Sequence, residues 1–586
     1  MSLFDELKRR KVFRVGVAYL VVGWLLIQVA STVAPQLNLP EWAPRLITFV
    51  IMLGFPIALV LAWILDVTPE GIRVDGAPAG NKRVIAAAVV LAALAVGWYW
   101  KTRPHPVADE GGADAHSIAV LPFVNMSEDK SNEYFSDGIS EEILNVLARM
   151  SGLHVAARTS SFSFRKQEQE IPTIARELKV RMVLEGSVRK QGDRVRVTAQ
   201  LIDASDGYHV WSQTYDRDLK DIFAIQDEIA GAIAQELKLK LDAAPAGGVA
   251  VAATTDLVAY QLYLKAMGLW AARGEQNMLQ AEALFHAALV RDPTYAKAWA
   301  GLALTYAILP EWSSRPLAEA RPAGRDAAEH ALALDRELPE PYAALGYIAA
   351  SEFRFATARA MFQRSIALGP SYATGHQWSA ETLSWEGDLE AGLDMIRKAA
   401  ALDPKSTIVN SVLASLLLSA GHDDEALKVC DSIVAVNTEW CPMLQFDVAM
   451  SRRDYARVRV VVEKTAADRG PQALAFFHSM MDALDGKGDV NAIAQQLLDL
   501  PEAQGTPTSM SPLNGYDALF WFIAAGRNDL AVERFARLVR ELPYNARWFA
   551  FDPHFAALHC EPKFLDILRE LKVEEPHLAA ACKKAN

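Results

Sequence analysis

The sequence predicts a multidomain fold: transmembrane helices, then a small α/β domain, then an all-α superhelix of repeated hairpins. Three observations carry that prediction. The first hundred residues contain three long apolar runs. Residues 117 to 241 alternate short apolar runs with stretches of helical spacing. From residue 257 onward, small and aromatic residues return at a spacing of 34.

At 586 residues the chain is too long for one core, so three or four units are expected. The net charge is −12 and no basic block appears, which leaves nothing to release the counterions of a polyanion. The sequence therefore predicts no nucleic-acid partner. Of the four cysteines, none forms a C-x-x-C. Their spacing permits Cys430–Cys441 and Cys560–Cys582 bridges in an oxidising space. Burial of all four as small apolar residues accounts for them equally well.

Residues 1–103 are expected to form a membrane region with spans at about 12–34, 46–67 and 84–100, since roughly 20 apolar residues cross about 30 Å of hydrocarbon. Lys8, Arg9, Arg10 and Lys11 before the first span, with Arg73, Lys82 and Arg83 before the third, predict a cytoplasmic N-terminus and an outside body. The body would lie on the opposite side if the short third segment does not cross. Gly16, Gly23 and Ala30 recur every seven residues, which suits packing of the first helix on the second.

A linker is expected at 104–116. In 117–241, Ile118–Phe123, Leu153–Ala157 and Met182–Val188 read as strands. Asp137 is expected to cap a helix carrying Ile139, Ile143, Leu147 and Met150. Val195, Val197, Ala199 and Leu201 alternate with polar residues, as in a strand with one wet face. Asp206-Gly207 turns into a strand over His209–Tyr215, and Ile222, Ile225, Ile229 and Ile233 follow helical spacing. The order βαβαβββα predicts a small sheet with helices packed on it.

Four blocks occur in this stretch: Ile118-Ala119-Val120-Leu121-Pro122-Phe123, Phe135-Ser136-Asp137-Gly138, Leu184-Glu185-Gly186-Ser187-Val188, and Phe223-Ala224-Ile225-Gln226-Asp227-Glu228-Ile229. Together they resemble the TolB N-terminal-like (FlgO-type) domain. The basic leader Lys8 to Phe13 and Thr68-Pro69-Glu70-Gly71 resemble the membrane leader of the same envelope proteins. The resemblance implies a periplasmic binding domain without established catalysis. Longer relatives carry a cyclase domain that has no counterpart in these residues.

A second linker is expected at 242–256. Beyond it, Pro370 and Pro404 lie 34 residues apart, as do Phe362 and Ile396; Leu345, Gly346, Ala358, Phe362 and Pro370 mark one unit, Gly387, Ala399 and Pro404 the next, and Leu413, Ala414, Gly421 and Ala426 a third. This pattern resembles the tetratricopeptide repeat, covering 257–545, with 546–586 as a helical cap. Carrying the repeat's groove positions over gives Tyr347, Gln377, Glu381, Trp385 and Ser415 as candidate partner-binding residues. For Tyr347 and Trp385, packing between hairpins is the competing reading.

The common hydrolase, zincin and nucleotide motifs do not occur. No catalytic residue, metal or cofactor is therefore expected, and no enzyme. The function expected is an inner-membrane scaffold or assembly factor, its body periplasmic, touching membrane lipid and binding protein partners. The alternative is a transmembrane envelope sensor without its own catalytic output domain.

Overall fold

The computed structural model describes residues 116–573 apart from 131–132, 151, 166–168, 238–253, 255, 434–439, 467–470, 500–514, 541–546 and 548–550. It also describes 578–579, 582, 19, 21–24, 26, 28, 51, 65–68 and 71–74. The chain divides into two compact units, Met1–Gly112 and Ala113–Asn586.

In the first unit the expected spans lie almost wholly outside the described residues. Among the described residues, no helix is long and apolar enough to cross a membrane. The end of the second expected span is a strand, β1 (Leu65–Thr68), paired antiparallel with β2 (Gly71–Val74). The β-branched Val67, Thr68 and Ile72 favour that extended pairing over helix. The transmembrane part of the expected fold class is thereby corrected. The inner-membrane placement, with a cytoplasmic N-terminus and periplasmic body, is corrected with it. Within this unit Tyr19 donates to the carbonyl of Ile51 at 2.9 Å, beside Gly23.

The second unit opens with a sheet of order β5-β3-β6-β7-β8. Its strands are β3 (Ser117–Val120), β4 (Val124–Asn125), β5 (His154–Val155), β6 (Met182–Gln191), β7 (Arg194–Asp203) and β8 (Tyr208–Asp218). β3 runs parallel to β5 and β6, β4 continues beside β6, and β6, β7 and β8 form an antiparallel meander. Gly192 and Gly207 supply the left-handed residues of its two turns. Val195, Val197, Ala199 and Leu201 are buried against helices α1 (Glu133–Ala148) and α4 (Ile222–Glu236), while α3 (Ile171–Leu178) packs on the opposite face, against Ala119 and Val183, and α2 (Arg158–Phe162) lies near β3. The alternation of β7 set this face. The helix expected to begin at Asp137 begins a turn earlier, because Asp137 is drawn into an ion pair with Arg165 rather than capping.

Residues 257–538 form stacked helical hairpins. They are α5 (Leu257–Ala272) with α6 (Glu275–Arg291), α7 (Ala296–Trp312) with α8 (Leu317–Leu334), α9 (Pro339–Ser351) with α10 (Phe355–Leu368), and α11 (Ala373–Glu386) with α12 (Leu389–Leu402). There follow α13 (Thr407–Ser419) with α14 (Asp423–Ile433), α15 (Trp440–Ser451) with α16 (Tyr455–Ala466), α17 (Pro471–Leu484) with α18 (Val490–Asp499), and α19 (Gly515–Ala524) with α20 (Asn528–Leu538). A 3-10 turn (Pro553–Leu558) and α21 (Pro562–Glu570) follow. First helices also pack on first helices, as α7 does on α9 and α9 on α11. This is the helical-repeat array the 34-residue period predicts.

The sheet and the array share one core, which runs from Ile118 to Trp385. Glycines in two of the sequence blocks permit close approaches, one between the domain and the array and one within the sheet. A Cβ on Gly138 of α1 would collide with the Leu264 side chain of α5, so glycine there lets the two helices touch. A Cβ on Gly186 of β6 would strike the Phe123 ring and the Thr198 carbonyl. Phe123 is held there by its amide donating to Ser140 Oγ at 2.8 Å.

Polar contacts tie the same domain to the loops between hairpins. Ala157 donates to the carbonyl of Leu402 at 2.7 Å, and Ser160 Oγ to Asp403 Oδ1 at 2.6 Å. Ser371 Oγ donates to the Leu153 carbonyl at 3.0 Å, and Lys297 pairs with the buried Glu142. Cys560 and Cys582 form a disulfide, whereas Cys430 and Cys441 are buried free thiols.

Candidate functional site

The 34-residue period places Tyr347 on α9 and Gln377, Glu381 and Trp385 on α11. The structure brings these four together. Gln377 Nε2 donates to Glu381 Oε1 at 2.9 Å, one helical turn apart. The Tyr347 hydroxyl lies 2.6 Å from Glu311 Oε1 and 3.4 Å from Glu381 Oε2. Its ring is packed against Trp378, centroids 4.8 Å apart, and Trp385, 5.5 Å apart. Ser415 stands on α13, half-buried and apart from the cluster.

Burial fixes the character of the site. Tyr347 is 2% exposed, Gln377 6%, Glu381 7% and Trp385 0%. Two carboxylates therefore face one hydroxyl in a poorly solvated place. A hydroxyl has a single proton to give, and the 2.6 Å contact assigns it to Glu311. Burial, then the neighbouring Glu311 carboxylate, push Glu381 up to about 8, against the lowering effect of Gln377 and Tyr347. A protonated Glu381 donates to the hydroxyl oxygen instead of competing for its proton. The cluster thus holds one extra proton at neutral pH.

Two residues complete it that the sequence did not single out. Glu311 ends α7, two positions off the 34-residue register counted back from Tyr347. Following that register through the insertion at Pro310 to Arg325 would have found it. Arg273 has no such signal. It caps α5 in a left-handed conformation, φ 57°, with its guanidinium 3.8 Å from the Trp270 ring centroid. Burial lowers it to about 10, opposed by Tyr372, Glu311, Glu381 and Tyr347, which places its charge within reach of the cluster.

Chemically the arrangement can hold a proton and answer a cation. Among the described residues, no group of three or more His, Cys, Asp or Glu side chains is gathered as a metal site. His554 and His559 of the last segment have separate roles: His554 pairs with Asp552 and Asp423, and His559 stacks on Phe564.

Residues 114–232, the sheet domain, match the family profile described as HilA/YgeH-like transcriptional regulator, second domain. This differs from the TolB-like kinship expected of the same stretch. A relative from Rhizobium meliloti (strain 1021), named "Putative adenylate cyclase 3", is 42% identical over 188 residues, which are 32% of this chain and 32% of the relative. The chain thus matches about a third of the length of that curated relative.

Three solved structures show a distant similarity. A thermophilic TPR protein of Thermus thermophilus is 20% identical over 30% of this chain and 90% of its own, with a TM-score of 0.26. Cut9 in the APC/C Cut9–Hcn1 hetero-tetramer is 11% identical, covering 100% and 96%, at 0.33. Yeast Tom70 is 9% identical, covering 96% and 95%, at 0.29. Scores of this size do not establish a common arrangement, and the assignment of a repeat array rests on the hairpins themselves.

Proposed function

We propose that this protein is a non-catalytic scaffold whose repeat array binds protein partners on its first-helix face, where the partner presents a basic side chain to the Glu311–Tyr347–Glu381 cluster. The observation that carries this reading is the half-buried Glu311 carboxylate at the end of α7, which accepts the Tyr347 hydroxyl at 2.6 Å beside the buried Glu381. A lysine or arginine arriving at the half-buried Glu311 would be answered by carboxylate in a weakly screened setting, where such pairs discriminate well. Aromatic rings around it suit the same cation. Ser415, one hairpin further along, lies on the same proposed face.

A photo-crosslinking amino acid at position 415 and, separately, at 311 tests the reading in cells, with position 279 on α6 as the outer-helix control. The expected result is protein adducts from 415 and 311 and none from 279. A partner so identified should bind Glu311→Gln about tenfold more weakly in a purified assay, the loss of one charge-assisted bond. Identical adducts from all three positions, or unchanged affinity of Glu311→Gln, would overturn it. The cyclase name of the rhizobial relative is checked separately: incubation of the full chain with ATP is expected to form no cyclic AMP.

A further inference from the structure

Among the described residues, seven turns join the first and second helix of a hairpin through a left-handed residue. Gly387, Gly421, Gly486 and Gly526 fill that position in four of them, whereas Arg273, Phe353 and Arg453 fill it in the others, with φ between 55° and 61°. A side chain there costs roughly 1 kcal/mol or more over glycine, so each such residue calls for a compensating role. Arg273 lies on Trp270, and Phe353 lies beneath the Arg547 guanidinium. Arg453 makes neither an ion pair nor a side-chain hydrogen bond among the described residues.

Arg453 instead lines an open cleft of about 390 Å³ between the α13–α14 turn, the α15–α16 turn, α19 and the Pro553 turn. Met450, Phe520, Ile523, Ala524 and Pro553 give it an apolar floor. The remaining charges at the cleft are already answered. Asp423 takes His554 Nε2 at 3.2 Å on one oxygen and Arg452 Nη2 at 3.1 Å on the other. His554 Nδ1 lies 2.7 Å from Asp552. The uncompensated charge is the Arg453 guanidinium.

We propose that this cleft is a binding site for an organic carboxylate with an apolar or aromatic body, its carboxylate held by Arg453 and its body on Phe520, Ile523 and Met450. A guanidinium presents a planar fork that a carboxylate matches with two parallel bonds. The volume lies at the small end of the range of ligand pockets, which suits a body of one aromatic ring. Burial pulls His554 down, but Asp552 and Asp423 outweigh it and hold it above the ordinary histidine value, which keeps Asp423 from repelling an acid. The site is independent of the first-helix cluster.

Calorimetry on the full chain tests it with 3-phenylpropionate, 3-phenylpropanamide, and the tripeptide Gly-Gly-Phe as free acid and as amide. Binding of an acid, about tenfold weakening in its amide and a similar loss in Arg453→Gln are the expected results. Tighter binding of the tripeptide acid than of 3-phenylpropionate assigns the carboxylate to a peptide terminus, and the reverse order to a free acid. Ala524→Trp, which fills the cleft, should abolish binding of both. Equal binding of acid and amide, unchanged affinity in Arg453→Gln, or no binding of either acid at millimolar concentration would overturn the proposal.

Discussion

Arg547 donates from Nε to the carbonyl of Trp385 at 2.6 Å, across 162 positions of sequence. A second nitrogen reaches the Leu571 carbonyl, and the guanidinium lies 4.8 Å from the Phe355 ring centroid. One buried cation thus fastens α11, the α9–α10 turn and the end of α21 together. A charged donor contributes about 1.5–3 kcal/mol per bond. Arg547→Met should destabilise the chain by about 3 kcal/mol in urea unfolding, with early loss of protection in α21 by hydrogen exchange. A loss below about half a kcal/mol would show that the bonds are replaced by water.

The raised carboxyl of Glu381 in the first-helix cluster makes stability depend on pH. Glu381 is raised from 4.5 in the unfolded chain to about 8, so the folded form binds its proton more tightly. That contribution is complete below pH 4.5 and is lost as pH rises through 8. Glu381→Gln keeps the hydrogen-bonding amide without an ionisable proton. Its melting temperature relative to the native chain should therefore climb between about pH 5 and pH 9. A constant difference across that window would place the proton elsewhere.

Asp403 shows the same sign in a structural setting. Burial raises it from 3.8 to about 6 against the lowering effect of the Ser160 hydroxyl and amide. Stability from this group is complete below pH 3.8 and gone above 6. Asp403→Asn should thus be more stable than the native chain at about pH 7.5, on the order of 1–3 kcal/mol, provided the Oδ1 acceptor is kept. Ser160→Ala should cost about 1–2 kcal/mol and quicken exchange of the Lys405 amide, which donates to the Ser160 hydroxyl at 2.7 Å.

The Cys560–Cys582 disulfide closes a loop of 22 residues around α21. Chain-entropy arguments give such a loop about 3 kcal/mol. Reduction, or Cys560→Ser with Cys582→Ser, should loosen α21 by roughly that amount and lower the protection of Phe564 and Leu568. Unchanged exchange there would mean that packing alone holds the helix.

What the sequence conveyed and what it withheld divide along one physical line. Periodicity is a local signal, so the alternation of β7 and the 34-residue return of Phe362 as Ile396 and of Pro370 as Pro404 were legible and matched the observed elements. Asp137 was misread because its role is set by Arg165, beyond its own helix. Register names candidate groove positions, but it cannot show what packs on them. The Trp385 carbonyl is claimed from position 547, and Gly138 serves a helix that starts at 257. The apolar N-terminal runs carried a length signal only, and Leu65–Thr68 adopts a strand at the end of one of them.

The contacts of Ser371 and Asp403 with the sheet domain have a mechanical consequence. A repeat array held only by neighbours behaves as a row of weakly coupled springs, able to fray from an end or open in the middle. Here a rigid sheet is bonded to the loops before α11 and α13, and Lys297 reaches it from α7. Those hairpins cannot slide or splay independently without tearing the sheet away. Pulled from its ends, the molecule should resist over the span from α7 to α13, so any partner gripping the central repeats holds a splinted surface.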